Sequence, residues 1–105
     1  MTVHSETAAR RAADTKSPAA MNRLGCLLKV KGRHEEAAQW FRRSAEAGNA
    51  DAMANLATYL MGEGRNREAA EWFRRAGGPL GEAFAEALLE QGDGGPDAAE
   101  NHRAR

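Results

Sequence analysis

The chain has 105 residues, of which 23 are alanine, and its 15 lysines and arginines are balanced by 15 aspartates and glutamates. A chain of this length forms one domain at most, and a net charge near zero argues against a nucleic-acid-binding protein that depends on an overall positive field. No segment approaches the roughly 20 apolar residues of a membrane span, and we expect no secretory signal and, with a single cysteine, a reducing compartment such as the cytoplasm.

The sequence aligns with itself at a shift of 32 places. This shift sets residues 20–44 on residues 52–76, and 13 of the 25 aligned positions are identical. Chance in so alanine-rich a chain would give roughly two or three identities, so the match indicates a duplication. The identical residues fall into two groups separated by a glycine, which predicts two repeats of two helices each.

Residues 1–17 precede the first repeat. At the same shift Arg10 aligns with an arginine of the first repeat, but Ala8 and Ala9 replace the aromatic pair that both repeats carry. We therefore predict that residues 5–15 form a trimmed second helix, which makes this N-terminal segment a partial capping helix for the array.

Each repeat is predicted to contain two amphipathic helices. In repeat 1 (residues 18–49) and repeat 2 (residues 50–78), apolar residues of the first half follow a three-then-four spacing that draws one stripe along a helix. Gly32 and Gly64 stand between the two halves, where glycine allows the left-handed conformation that ends a helix. No segment alternates with period two over a useful length, so the predicted structure is all-α.

Small and aromatic residues predict how these helices pack. Small side chains in both helices of a repeat let the helices approach closely, and an aromatic pair in each second helix fills the gaps between successive helix pairs. The small residues are Gly25, Ala37, Ala57 and Ala69, and the aromatic residues are Trp40, Phe41, Trp72 and Phe73.

The repeat pattern weakens after repeat 2. Residues 79–92 align with a first helix if four residues are removed near Gly78, and they are predicted to be the first helix of a degenerate repeat 3. In residues 93–105, Asn101 and His102 occupy the places of the aromatic pair, which predicts a polar C-terminal tail or a partial capping helix.

The repeated motifs resemble the tetratricopeptide repeat superfamily and are closest to its Sel1-like branch. Leu24-Gly25 with Leu28 is similar to the family's first helix, and residues 36–53 are similar to the Sel1 stretch that leads from one repeat into the next. The resemblance implies an all-α helix-turn-helix solenoid with a right-handed superhelix. In that superfamily the first helices line a concave groove that binds extended peptides or partner helices.

Transferring the groove positions to this sequence gives a set of candidate peptide-binding residues on the three first helices. The groove would run from basic, through neutral polar, to acidic, and its basic end could hold carboxylates. A groove that is merely solvated is the alternative. The candidates are Asn22, Arg23, Cys26, Lys29, Asp51, Asn55, Thr58, Met61, Glu82 and Glu86, with Leu89 beside them.

No catalytic, cofactor or metal site is predicted. Cys26 has no partnered base in its sequence context, and His4, His34 and His102 are too scattered to form a set of metal ligands. The Arg-Arg pairs at residues 42–43 and 74–75 allow two interpretations. They form either a basic strip for phosphate or acidic groups, or, as the favoured alternative, outer-face residues that pair with nearby acids.

These patterns predict a non-catalytic protein-protein interaction module that binds a peptide or partner helix, without nucleic acid or membrane as a partner. The alternative is a structural module that forms a homodimer or stacks head to tail through incompletely capped ends. Residues 1–50 carry a net charge of +4 and residues 51–105 a net charge of −4. In a solenoid, where sequence order is spatial order, this distribution predicts one basic and one acidic end.

Overall fold

The computed structural model describes residues 2–94, with side chains from residue 6 onward, and it consists of helices joined by short turns. In chain order they are α1 (Thr2–Ala13), α2 (Pro18–Val30), α3 (His34–Glu46), α4 (Ala50–Gly62), α5 (Asn66–Ala76) and α6 (Gly78–Gln91). Each helix packs against the next. The described range contains no strand, so the predicted all-α helical repeat is confirmed.

Two other expectations from the sequence concern the ends of the chain and the membrane. None of the six helices is long and apolar enough to cross a bilayer. The polar tail or capping helix predicted at residues 93–105 lies outside the described residues from position 95 onward. At the other end, α1 begins at Thr2 and ends at Ala13, earlier at both ends than the predicted helix over residues 5–15.

Glycine ends the helices as the sequence predicts. After α2, Gly32 has a φ of +85°, and its N–H donates to the carbonyl of Lys29 while the N–H of Arg33 donates to that of Leu28, each over 2.9 Å. These two bonds satisfy carbonyls that the helix end leaves free. The same pair of bonds closes α3 and α4, where Gly48 and Gly64 occupy the equivalent place.

The core follows the small-and-aromatic pattern with one difference. Phe41 is 2% exposed, and Trp72 and Phe73 are also buried, as predicted. Trp40 is only half-buried, and the guanidinium of Arg43 lies over its ring, 4.5 Å from the centroid. The aromatic pair of repeat 1 therefore has one core member, with its neighbour at the surface.

Two glycines permit close contacts between helices. A Cβ built on Gly25 would lie 2.6 Å from Cε1 of Phe41, which confirms that this small residue lets α2 approach α3. A Cβ on Gly81 would overlap the backbone carbonyl oxygen of Phe73, so α6 also lies directly against α5. The sequence did not predict this second contact.

A group of two arginines around one glutamate recurs at the same shift as the repeat. In each group, an arginine on one second helix forms an ion pair with the glutamate near the start of the next second helix. The other arginine directly precedes that next helix and pairs with the same glutamate. The first consists of Arg10, Arg33 and Glu36, with both guanidiniums 2.6 Å from the carboxylate, and the second of Arg42, Arg65 and Glu68, at 2.9 and 2.5 Å.

Glu6 extends the first of these groups and ties α1 to repeat 1. Its carboxylate lies 2.5 Å from Nζ of Lys31 and 3.0 Å from guanidinium nitrogens of both Arg10 and Arg33. Helix α1 is therefore held by ion pairs as well as by Ala13, which is fully buried against the core.

The chain beyond α6 is attached by hydrogen bonds instead. The side-chain amide of Asn66 donates to the carbonyl of Gly92 over 2.8 Å, and the carboxylate of Asp93 accepts from the backbone N–H of Arg67 over 2.8 Å. Because the side chain of Arg65 at the start of α5 makes no capping bond, Asp93 supplies the cap from the chain after α6.

Acid should weaken the attachment of α1. Hydrogen bonds from Lys31, Arg10 and Arg33 lower the pKa of Glu6 from 4.5 to about 2, and Arg10 and Arg33 also lower the pKa of Glu36. A carboxylate whose pKa is lower in the folded state stabilises the fold above its unfolded pKa, and that contribution is lost as the pH falls from 4.5 towards 2. We expect the urea midpoint to fall across this range at low salt.

The Glu6→Gln variant is the matched control for this acid effect. Its neutral amide cannot titrate, so its urea midpoint should be lower than that of the wild type at neutral pH and should fall less on acidification. High salt should reduce the difference between the two proteins, because exposed charges are screened. Identical pH profiles for the two proteins would contradict the assignment.

Candidate functional site

The predicted groove residues lie on the exposed sides of α2, α4 and α6. On α2, Asn22, Cys26 and Lys29 follow a spacing of four and then three, so they form one line opposite the buried stripe. The other candidates on α4 and α6 are likewise exposed or half-buried. The first helices thus present these side chains to solvent.

A direct contact joins α2 and α4. The side-chain amide of Asn55 donates to Oδ1 of Asn22 over 3.0 Å, and the same nitrogen lies 3.8 Å from Sγ of Cys26. Three predicted residues are therefore brought together. Cys26 itself is exposed and forms no disulfide bond within the described residues.

A cavity of about 360 Å³ opens beside this contact, between α2, α3 and α4. Ala37 and Phe41 of α3, both buried, give it an apolar floor. Lys29, Asn55 and Thr58 line it as well, so three of the predicted groove residues surround one concave site. A site with an apolar floor and a few polar groups is typical of a place where another molecule binds.

His34, Tyr59 and Glu63 also line this cavity and were not among the predicted residues. Burial, together with the charges of Glu63 and Glu35, raises the pKa of Tyr59, so the phenol stays protonated and can donate a hydrogen bond. Tyr59 lies four positions after Asn55, which is a signal that would have placed both on one side of α4. His34 is exposed at the start of α3, where it borders the cavity.

The remaining candidates do not line the cavity. Arg23, Asp51 and Glu86 are exposed, and no ion pair joins them to another of the residues described. Glu82 is also exposed, but its carboxylate lies 3.2 Å from Nε of Arg74. Met61 is 40% exposed, so it adds an apolar side chain to the surface of α4.

The Arg-Arg pairs are engaged within the protein. Arg42 bonds to Glu68 of the next repeat over 2.9 Å, and Arg74 bonds to Glu82. The second arginine of each pair stacks on a tryptophan of its own helix, with Arg75 lying 4.3 Å from the centroid of Trp72. These contacts favour the outer-face interpretation over a basic strip, and the acidic partners come from following helices.

The described part of the chain also contains no group of three or more His, Cys, Asp or Glu side chains placed to hold a metal ion.

Comparison with known families identifies the repeats. The family profile described as tetratricopeptide repeat matches residues 19–47 and 49–76, which together make up more than half of the chain. The two matches coincide with the α2–α3 and α4–α5 helix pairs. The closeness to the Sel1-like branch stays a prediction. Searches among curated proteins and among solved structures give no match.

Proposed function

The chain belongs to the tetratricopeptide repeat family, whose repeats generally mediate protein-protein interactions, and we propose from this premise that its groove binds a peptide segment of a partner protein. The observation that carries the proposal is the cavity between α2, α3 and α4, because it joins an apolar floor to polar residues already predicted for the groove. The module is proposed to act by binding, without catalysis, and its place of action is proposed to be the cytoplasm.

The cavity suits one apolar side chain of an extended peptide. Phe41 and Ala37 would contact that side chain, and burying it would supply most of the free energy of binding. The amide of Asn55 and the hydroxyl of Thr58 lie beside the floor, where they can bond to the peptide backbone. The Tyr59 phenol adds a further donor.

Filling the cavity tests the proposal. We expect Thr58→Trp to lower the affinity for peptides selected from a random display library on the wild-type protein by at least about tenfold, since a large side chain would occupy the space of the ligand. Affinity is measured by fluorescence anisotropy of labelled peptides, with helicity followed by circular dichroism. Asn55→Ala should weaken binding as well.

Glu71→Trp is the matched control for that experiment. Glu71 is exposed on α5 and does not line the cavity, so the same large side chain is introduced away from the proposed site. Equal loss of binding in Thr58→Trp and Glu71→Trp, or unchanged binding in Thr58→Trp, would refute groove binding.

Self-association is a second candidate, favoured by the surface of α6. Leu80 is 72% exposed and Phe84 47% exposed. Their counterparts in repeat 2, Ala52 and Leu56, are 0% and 1% exposed. Within residues 2–94, α6 has no following helix to cover this side, and a second copy could do so head to tail.

The Leu80→Glu variant tests whether the protein self-associates through α6 or is a monomer. If copies associate through α6, the average mass in sedimentation equilibrium should rise with wild-type concentration and should rise less in the variant. Leu80 is exposed and makes no aromatic contact, so the unfolding midpoint should stay unchanged. A wild-type mass that equals the monomer at every concentration would remove this candidate.

A further inference from the structure

The charge gradient of the chain is concentrated in the helices that line the groove. Arg23 and Lys29 give α2 a net charge of +2, Asp51 gives α4 a net charge of −1, and the three glutamates of α6 give it −3. The second helices α1, α3 and α5 carry +1, −1 and +1. The outer layer therefore has no gradient, and the inner layer has a steep one.

The charges at both ends of the groove are available to a partner. Lys29 lines the cavity, and Arg23 is exposed on the same helix. At the other end Glu86 and Glu90 are exposed, and no ion pair joins any of these four side chains to another described residue. By contrast, Glu6, Glu36 and Glu68 outside the groove are each bound to two or three cations.

The distance between the two ends suits a short extended peptide. The helices pack in chain order, so a second helix stands between successive first helices and the two steps from α2 to α6 cover at least about 20 Å. An extended chain advances about 3.3 Å per residue and needs at least about six residues for that distance. The cavity lies between α2 and α4, nearer the basic end.

Resting on the proposed groove function, we propose that the partner is an extended segment of opposite polarity, with acidic residues over Arg23 and Lys29, an apolar side chain in the cavity, and basic residues over Glu86. Exposed ion pairs contribute little each, but complementary fields fix orientation and exclude partners of the wrong polarity. A uniformly acidic or uniformly basic segment would be repelled at one end of the groove.

The test begins with dodecapeptides selected from a random display library on the full chain at low ionic strength. The enriched peptides should carry acidic residues on one side of an apolar residue and basic residues on the other. One such peptide is then synthesised, together with a version whose acidic and basic residues are exchanged while the backbone direction and composition stay the same.

Both peptides are titrated against the wild type, Lys29→Glu, Glu86→Lys and the double variant. Each single charge reversal should weaken the selected peptide by about 2- to 10-fold, and the exchanged peptide should bind the double variant better than the wild type. High salt should reduce these differences. Arg11→Glu on α1 and Glu71→Lys on α5 make the same changes in net charge at exposed positions outside the groove.

The outcomes separate this inference from the function it rests on. The enriched peptides could lose affinity for Thr58→Trp and yet carry their charges in no consistent order, or carry charges of one sign only. That result would contradict the proposed polarity of the partner but not the proposal that the groove binds a peptide. The proposed polarity is also contradicted if Lys29→Glu and Glu86→Lys change the peptide affinity no more than Arg11→Glu and Glu71→Lys do. If no peptide is enriched, both proposals fail.

Discussion

Replacing Phe41 with alanine should destabilise the protein by about 3–5 kcal/mol, which is a large part of the total stability of a small domain. Phe41 is 2% exposed, it packs directly on Gly25 of α2, and it forms the floor of the cavity. Removal of its ring would leave a cavity where α2 and α3 of repeat 1 meet α4 of repeat 2. We expect a much lower midpoint in both urea and thermal unfolding.

Trp40→Ala is the neighbouring control. Trp40 is the larger side chain, but it is half-buried and one face is covered by Arg43, so its removal should cost clearly less than that of Phe41. Measuring both variants by equilibrium urea unfolding tests the assignment of one residue to the core and the other to the surface. A larger loss for Trp40→Ala would reverse that assignment.

Gly81→Ala should destabilise the packing of α6 by about 1–3 kcal/mol, although alanine favours helix formation. The added Cβ would overlap the carbonyl oxygen of Phe73, and a backbone atom cannot turn aside as a side chain can. The helix would have to move away from α5, which loosens Ala85 and Leu88 in the core. Faster amide hydrogen exchange in α6 should accompany the lower midpoint.

At Gly62, another glycine within a helix, substitution by alanine should have the opposite effect on stability. Nothing lies within 4 Å of a Cβ at Gly62, and its backbone is ordinary helix. The substitution should therefore stabilise the protein through helix propensity, by less than the roughly 0.5–1 kcal/mol of a helix interior because Gly62 is the last residue of α4. If Gly81→Ala also stabilises the protein, the close contact between α6 and Phe73 is wrong.

Local pattern and duplication were sufficient to predict much of the fold. Gly32 and Gly64 mark helix ends because their positive φ is a local property of the chain. The pairing of the helices was predictable because residues that are identical in repeats 1 and 2 indicate which positions the helix pair requires. The half-buried position of Trp40 was not predictable, since its counterpart Trp72 is buried and the two sequences are identical at this point.

The site could be predicted less completely because it forms between helices. Lys29, Asn55 and Thr58 were predicted by transferring the family's groove positions to this sequence, and they line one cavity. His34 was missed because its contribution depends on where the turn brings the start of α3, and Tyr59 because its burial depends on neighbouring helices. The bond from Glu82 to Arg74 joins two helices and has no equivalent in repeats 1 and 2, so the duplication gave no signal for it.

The first and the last of the described helices are held by different interactions, and ionic strength distinguishes them. Ion pairs of Glu6 with Lys31 and Arg33, and of Arg10 with Glu36, hold α1. Asn66 and Asp93 hold the chain after α6 through hydrogen bonds that involve the backbone. In a solenoid each unit contacts only its neighbours, so one end can fray while the rest stays folded. Raising the salt concentration should therefore loosen α1 more than α6, because among the described residues three ion pairs join α1 to repeat 1 whereas one, between Arg74 and Glu82, joins α6 to α5.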